Sequence, residues 1–314
     1  IGRGFNYKTM DASIKANVEG IGLQQYNYQN LLLDVNLNNG AIKSNGTIND
    51  PNIKLNYTAT ANVNGTYPTI ETTLRVDTIQ LLPLHLYNDT LNASFTAYLK
   101  AADLDPEKMD VYALVDSSKI NVSNKLYALD SIIAAATNID GINTVYLKSQ
   151  LADIDANGRF QYDKIAPSLL QYIDGHYNIT DTVFGVINPQ QISFKGIIKK
   201  DPIIESFAKG LDYGPIPFEG SFTSNVTDSA LKLKLNMPFL QYQGNRISNG
   251  NLELVSVNSK IAAFVNSDTL QFGTNMLYKT AVNAVVAENN FNIAAVTKDK
   301  KDRDRFAIGT DIAR

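Results

Sequence analysis

The chain of 314 residues contains no cysteine and no tryptophan, and only two histidines, His85 and His176. Without cysteine the protein has neither disulfide bonds nor thiolate metal sites, and cysteine usage does not indicate its redox compartment. Two histidines without thiol partners do not supply the ligand set of a standard zinc site. These absences exclude the small domains that are held together by disulfides or zinc.

The charges are nearly balanced, with 28 Lys and Arg residues, 31 Asp and Glu residues and a net charge of -3. Proteins that bind nucleic acids usually carry a basic patch, and no such patch precedes the segment 298–305. In that segment, KDKKDRDR, the two signs alternate closely, which is typical of a solvated connector. We therefore predict no nucleic-acid partner.

Membrane-spanning and processing signals are also missing. No run of apolar residues approaches the roughly 18 that a helix needs to span a bilayer. The sequence begins with Ile1 and shows no signal peptide. We expect residues 1–314 to be one continuous fragment of a longer protein, with a possible sub-boundary near 178–190 and any membrane anchor outside the fragment.

Motifs of catalysis do not stand out. The sequence has no Gly-x-Ser-x-Gly element, no complete glycine-rich phosphate loop and no evident pair of catalytic carboxylates. Asp103, Asp105, Glu107 and Asp110 resemble a calcium loop, but the required glycine is absent and Pro106 stiffens the middle. We predict a non-enzymatic protein with no catalytic residues, no metal site and no cofactor.

The main pattern in the sequence is the alternation of apolar and polar residues. In the stretch 51–63, PNIKLNYTATANV, apolar and polar residues occupy alternate positions. Successive side chains of a β-strand point to opposite faces, whereas a helical period would scatter these residues around the axis. The pattern returns at 91–101 and 231–237. A hydrophobic content of 44% with 19% charged residues supplies a large apolar surface.

Turn signals connect the alternating segments into an antiparallel meander. Asn39-Gly40 between two such segments predicts a tight hairpin, and the stretch 49–52, NDPN, predicts the next turn. A further turn is predicted at Thr227-Asp228. The stretch 78–87 is apolar without clean alternation and contains Pro83, which predicts a short helical turn or an irregular plug.

Two segments have helical spacing instead. In 164–175 the apolar residues fall on one side, Pro167 sits early and Gly175 can end the helix. In 201–211, Asp201 is a candidate N-cap and Pro202 a first helical residue. We expect both helices to lie over an apolar face as lids or end plugs.

The order and texture of these elements resemble the periplasmic AsmA and TamB superfamily, in the form of the translocation and assembly module TamB found in Bacteroidetes-type bacteria. The resemblance covers most of the chain, is clearest over 20–177 and weakens in the C-terminal third. Its carriers are a Gly-Thr-Ile strand end at 46–48, the NDPN turn, the strand at 53–63, YALDSI at 127–132 leading to LKS at 147–149, the strand at 152–160 and the helix at 164–175.

The resemblance implies a mainly β fold, an elongated antiparallel β-groove formed by a curled open sheet (a β-taco) with one or two short helices. It implies a bridge-like lipid transfer protein of the periplasm that conducts phospholipids between the inner and outer membranes and is linked to outer-membrane biogenesis. The implied partners are phospholipids or other acyl-chain lipids, the inner membrane through an anchor outside this fragment, and an outer-membrane barrel.

We predict that large apolar residues of the alternating strands line this groove, while small residues on the same face, such as Ala59 and Gly196, leave room for acyl chains. The alternative is a closed β-sandwich or β-solenoid that serves as a binding or adhesion module at the cell surface, with the same residues in a dry core. The predicted lining residues are Ile53, Leu55, Tyr57, Leu91, Phe95, Leu99, Ile192, Phe194, Ile198, Phe218, Phe222, Leu231, Leu233 and Leu235.

Overall fold

The computed structural model describes residues 2–3, 6, 8–178, 185, 188–225, 229–257 and 260–313. Most of these residues lie in β-strands and two short stretches are helical, which confirms the predicted mainly β fold with one or two short helices. The chain separates into two compact units. The first comprises Ile1–Asn138 and Val145–Gln150, and the second comprises Ile139–Thr144 and Leu151–Arg314.

The first unit is an antiparallel sheet in which strands that follow one another in the chain pair side by side. From β1 to β9 each strand pairs with the next, and β10 pairs with the first half of β8 while β9 pairs with its second half. The strands are β1 (Gly2–Arg3), β2 (Asp11–Leu23), β3 (Tyr26–Asn38), β4 (Ala41–Asn49), β5 (Ile53–Asn62), β6 (Thr69–Gln80), β7 (Leu91–Asp103), β8 (Asp110–Val122), β9 (Lys125–Leu129) and β10 (Ile132–Ile139).

The second unit repeats this arrangement and carries both helices. After β11 (Ile142–Lys148), which the division between the units crosses, β12, β13 and β15 to β21 pair in that order, and β14 pairs with β16. The elements are β12 (Ala152–Arg159), α1 (Ile165–Asp174), β13 (Gln190–Ile198), α2 (Pro202–Phe207), β14 (Asp212–Tyr213), β15 (Ile216–Ser224), β16 (Ala230–Tyr242), β17 (Asn245–Val257), β18 (Lys260–Phe272), β19 (Asn275–Ala287), β20 (Asn290–Lys298) and β21 (Asp304–Ala313).

The sheet is open in both units. Within the described ranges, no ladder joins the first strand of either unit to its last strand. Residues 160–189, which include α1, connect β12 to β13, but most other connections are short turns. The predicted hairpin at Asn39-Gly40 is one of them, and its φ values of 45° and 76° suit a two-residue type I′ turn. The predicted open antiparallel sheet is therefore confirmed.

The NDPN turn between β4 and β5 is held by a buried carboxylate. Asp50 is 0% exposed and accepts hydrogen bonds from the Tyr26 hydroxyl (2.6 Å), the Gln29 amide (3.0 Å) and the Asn52 amide (2.8 Å). Because the Tyr26 hydroxyl donates to this carboxylate, the pKa of Tyr26 is raised. The turn residue thus also fixes the neighbouring hairpin of β2 and β3.

The long strands are interrupted along a line that crosses each sheet, which we call the crease. In the second unit the ladder skips Pro238 with Asn249 and Asp268 with Lys279, and Asn249 and Lys279 have φ values of 50° and 44°. The register then shifts between β19 and β20. Interruptions of this kind bend a strand and increase its twist. The first unit has corresponding interruptions at Asn30 in β3, in β6 next to Val76 and at Ser117 in β8.

The crease changes which positions of a strand are apolar. Before it, the apolar positions of β16 are odd-numbered, from Leu231 to Met237. Beyond it, Leu240 pairs with Ile247, Ile247 with Leu270, and Leu270 with Leu277. The alternation therefore changes parity within one strand, which a strict two-residue period does not predict.

Two predictions from the sequence need correction. The stretch 78–87 is not irregular throughout, because β6 continues to Gln80 and only 81–86 form turns, with Leu84 fully buried. The second helix begins after Asp201 as predicted but ends at Phe207, ahead of Gly210, whose φ is 85°. The turn predicted at Thr227-Asp228 lies outside the described residues. The units divide near 139–151, and the sub-boundary predicted near 178–190 stays a prediction because most of that range is not described.

The crease makes a testable prediction about backbone strain. Asn249→Val should lower the free energy of unfolding by roughly 1–3 kcal/mol, because a β-branched residue resists a left-handed backbone. Asn249→Gly is the control, since it loses the same 2.7 Å bond to Asp268 but accepts the positive φ. Urea denaturation of the full chain measures both, and equal destabilisation by the two variants would contradict the assignment.

Candidate functional site

Cross-strand pairing gathers the apolar positions of the first unit into rows that run across the strands. Partners in an antiparallel ladder share a face of the sheet. The rows form what we call the first apolar face, and none of their members is charged. The central row is Ala16, Leu33, Gly46, Tyr57, Leu74, Ala97 and Val115, and the row beside it is Val18, Leu31, Ile48, Leu55, Val76 and Phe95.

The second unit builds an equivalent second apolar face from β12 to β21. Its central rows again contain no charged residue. One row is Ile154, Gly196, Phe218, Leu235, Leu252, Val265, Val282, Ala295 and Ile308; the next is Ala156, Phe194, Gly220, Leu233, Leu254, Ala263, Ala284, Ile293 and Thr310. The third holds Gly158, Ile192, Phe222 and Leu231, and then Ser256, Ile261, Val286, Phe291 and Ile312.

The register brings all the predicted lining residues onto these two faces. Six of them lie on the first face: Ile53, Leu55, Tyr57, Leu91, Phe95 and Leu99. The others lie on the second: Ile192, Phe194, Ile198, Phe218, Phe222, Leu231, Leu233 and Leu235. Their contact with a lipid stays a prediction.

The two apolar faces are only partly covered by the chain. In β5 and β16 the apolar positions are mostly half-buried, while the intervening polar positions are exposed. Some large apolar side chains remain open to solvent, including Ile14 at 52%, Val265 at 42% and Ile308 at 68% exposure. A scatter of exposed apolar residues is ordinary, but here they belong to continuous rows, and contiguous apolar patches mark binding surfaces.

Aromatic rings lie across the glycines of these faces. A Cβ added to Gly46 would stand 2.7 Å from the Tyr57 ring, and one added to Gly220 would stand 2.5 Å from the Phe194 ring. Each pair is cross-strand, and a ring laid over a glycine covers backbone that would otherwise be bare. These rings therefore lie close to the backbone of the sheet and form an apolar layer, which we call the aromatic floor.

The position of these rings corrects the prediction made for Gly196. Gly196 was expected to leave room for an acyl chain, but the Phe218 ring fills that place, at 2.5 Å from the position of a Cβ. Phe194 and Phe218 lie side by side, with ring centroids 6.4 Å apart. The rings therefore occupy the space over the glycines, and the missing Cβ atoms allow the rings to lie this close to the backbone.

Helix α1 packs onto one end of the second apolar face. The Tyr172 ring meets the Phe222 ring edge-on at 5.8 Å, and the Tyr172 hydroxyl hydrogen-bonds to the Ser256 hydroxyl. One turn later, the His176 carbonyl accepts a bond from the Asn289 amide, in the turn after β19. Helix α1 and the residues that follow it therefore contact both β17 and the turn between β19 and β20.

The opposite end of β13 leads into α2. Asp201 caps this helix by accepting from the Ile203 amide at 2.9 Å, and Ile203 is 2% exposed. The buried Tyr213 hydroxyl donates to the Lys199 carbonyl at 2.8 Å and accepts from the Asp201 amide, and burial raises the pKa of Tyr213. In the first unit, the turn at 81–86 buries Leu84 in a comparable way after β6. Their role as lids or end plugs stays a prediction.

The opposite face of the second unit is polar and carries alternating charges. Each surface ion pair of this kind contributes little to stability, but the alternation fixes the register and keeps this face in water. The Lys234 ammonium lies 3.6 Å from the Glu253 carboxylate. Neighbouring strands contribute in turn Asp155, Lys195, Glu219, Lys234 and Glu253.

In the part of the chain that the structure describes, chemistry-bearing residues form no second candidate site. Among the described residues, no group of three or more His, Asp or Glu side chains is placed to hold a metal ion. The Asp103 carboxylate accepts from the Asp105 amide at 2.9 Å and pairs with Lys108 at 3.3 Å, and the first of these bonds is the main cause of its lowered pKa. His176 packs against Tyr172. In the described part of the chain, neither helix is long and apolar enough to cross a membrane.

Comparison with protein-family models, curated proteins and solved structures finds no match for this chain.

Some residues that shape the apolar faces were not predicted from the sequence. Ser256, the polar partner of Tyr172, interrupts an otherwise apolar row, and the ring-over-glycine pairs depend on register. The similarity of NGTI at 45–48 to EGSF at 219–222 is a sequence signal for these pairs, because Gly46 and Gly220 both lie under an aromatic ring.

The aromatic floor makes a prediction about stability. Gly220→Ala should lower the free energy of unfolding by about 1–3 kcal/mol, because the new methyl group meets the Phe194 ring and, at 2.6 Å, the Lys232 carbonyl oxygen. Gly22→Ala is the matched control in a strand, since nothing lies within 4 Å of its Cβ position. Urea denaturation tests both, and an unaffected Gly220→Ala protein would contradict the close packing.

Proposed function

We propose that this protein is a non-enzymatic conduit for phospholipids of the AsmA and TamB type. In this proposal the acyl chains lie on the two apolar faces while the headgroups remain in water. The observation that supports it most is the continuity of uncharged rows across seven strands of the first unit and nine of the second.

The energetics of lipid transfer favour such a surface. Exposing an acyl chain of about 16 carbons to water costs near 13 kcal/mol, at about 0.8 kcal/mol per CH₂. A row that crosses seven strands is about 29 Å long at about 4.8 Å per strand, while half of a bilayer core is about 15 Å thick. Each face is therefore long enough for an entire chain, and no specific headgroup chemistry is required.

The wider setting belongs to the same proposal. We place the protein in the periplasm, anchored in the inner membrane through a segment outside this chain and working with an outer-membrane barrel. It would carry phospholipids between the membranes and support assembly of the outer membrane. The alternative, a closed binding or adhesion module, requires the apolar faces to be sealed. The exposure of Ile14, Val265 and Ile308 does not favour that arrangement.

Lipid binding is the direct test. We expect the full chain, mixed with vesicles of phosphatidylethanolamine and phosphatidylglycerol and then separated from them, to carry phospholipid in native mass spectrometry. Protein that stays free of lipid at every vesicle ratio would refute the conduit.

A charge placed on the face should abolish this binding. Leu55→Asp puts a carboxylate in an apolar row, and removing it from water costs enough to lower the bound lipid at least about tenfold. Asn56→Asp adds the same charge to the next residue of β5, which is exposed on the polar face, and should bind as the parent does. Circular dichroism checks that both variants fold. Equal lipid loading of two folded variants would contradict the assigned face.

A further inference from the structure

Helix α1 occupies part of the surface that the proposed function assigns to lipid. Phe222 is one of the predicted lining residues, yet it is only 3% exposed, and the Tyr172 ring lies against it. An acyl chain cannot reach Phe222 while α1 stays in this position. The second apolar face is therefore shorter with α1 in place than its row of residues would allow.

The contact that holds α1 is polar and specific. The Tyr172 hydroxyl bonds to the Ser256 hydroxyl, and Ser256 is the polar member of a row that otherwise contains Phe222, Ile261, Val286 and similar residues. The Ser256 hydroxyl also accepts a bond from the Leu231 amide at 2.9 Å, so its position is fixed by the sheet. A hydroxyl fixed in this way is a docking point for the helix and serves no purpose for an acyl chain.

The helix itself is weakly built. It has 10 residues, its N-cap Lys164 makes no side-chain capping bond, and its first and last turns lack acidic and basic residues respectively. Helices of this length are marginal without packing. Ser168 is 2% exposed within α1, and its hydroxyl has no hydrogen-bond partner, which penalises the packed position.

Both flanks of α1 are tied to the sheet. The Gln161 amide donates to the Gln190 side chain at 2.7 Å before the helix, and the Asn178 amide donates to the Asn289 side chain at 2.8 Å after it. Because these bonds lie outside the helical residues, α1 can leave the apolar face while its flanks stay bonded to the sheet.

We propose that α1 is a displaceable cover, closed on the second apolar face when the face is empty and lifted when an acyl chain takes its place. The Tyr172–Ser256 bond is the latch of this cover. The inference rests on the proposed function and adds a regulated entry to it. When α1 is displaced, the second apolar face exchanges its contacts with this short helix for contacts with the acyl chain. A lipid that binds only the protein with α1 lifted therefore increases the fraction of molecules in that form.

Two variants should move the rate of lipid uptake in opposite directions. Tyr172→Phe removes the latch hydroxyl but keeps the ring, and should raise the uptake rate about fivefold, the effect of losing one typical hydrogen bond. Ser168→Ala removes the unpaired buried hydroxyl and adds the best helix-forming residue, so it should slow uptake by a few fold. Tyr98→Phe, whose hydroxyl bonds to Glu71 on the polar face, is the control and should leave the rate unchanged.

The measurement is stopped-flow transfer of a pyrene-labelled phosphatidylglycerol from vesicles of phosphatidylethanolamine and phosphatidylglycerol to the full chain. Hydrogen exchange of the amides of 165–174 is recorded with and without lipid, and exchange should accelerate on loading. Normal loading with unchanged exchange and equal rates in all variants would overturn the cover but leave the conduit standing. Absence of lipid uptake by the parent protein would overturn both.

Discussion

The structure depends on the antiparallel ladder, which places partner residues on the same face. Alternation within one strand separates apolar from polar side chains, but only the register between strands turns separate stripes into a surface. In the first unit Leu33, Gly46, Tyr57 and Leu74 come from four successive strands and form part of one row. A slip of one residue in a ladder would bring polar neighbours such as Asn45, Thr58 or Arg75 into that row. The register that pairs the strands is thus also what keeps the apolar rows continuous.

The crease and the aromatic floor explain how the chain partly covers the apolar face of each unit. Left-handed residues such as Asn249 bend the long strands, and the apolar positions of β5 and β16 are mostly half-buried. Rings laid over glycines cover the backbone without filling the space above it. Helices and turns at the strand ends, including α1 and the segment around Leu84, complete this partial cover.

Much of the fold could be predicted because its signals are local. Strand alternation, the Asn39-Gly40 turn and the cap at Asp201 are each encoded within a few residues. The change of parity at the crease could not be predicted, since Asn30 and Lys279 adopt positive φ only in the context of their neighbours. The choice of face residues followed from alternation, whereas the burial of Phe222 under Tyr172 depends on contacts between residues 50 positions apart in the chain. No local pattern encodes such a contact.

The pairing of each strand with its immediate neighbours in the chain has a consequence for how the protein loses its structure. Contacts in such a sheet are short in sequence separation, so a hairpin at one end can fray while distant hairpins remain intact. Stability then accumulates hairpin by hairpin, as in repeat proteins, instead of resting on a single nucleus. Evolution can lengthen or shorten a sheet of this design by whole hairpins, since an added pair of strands needs to match only the edge that it joins.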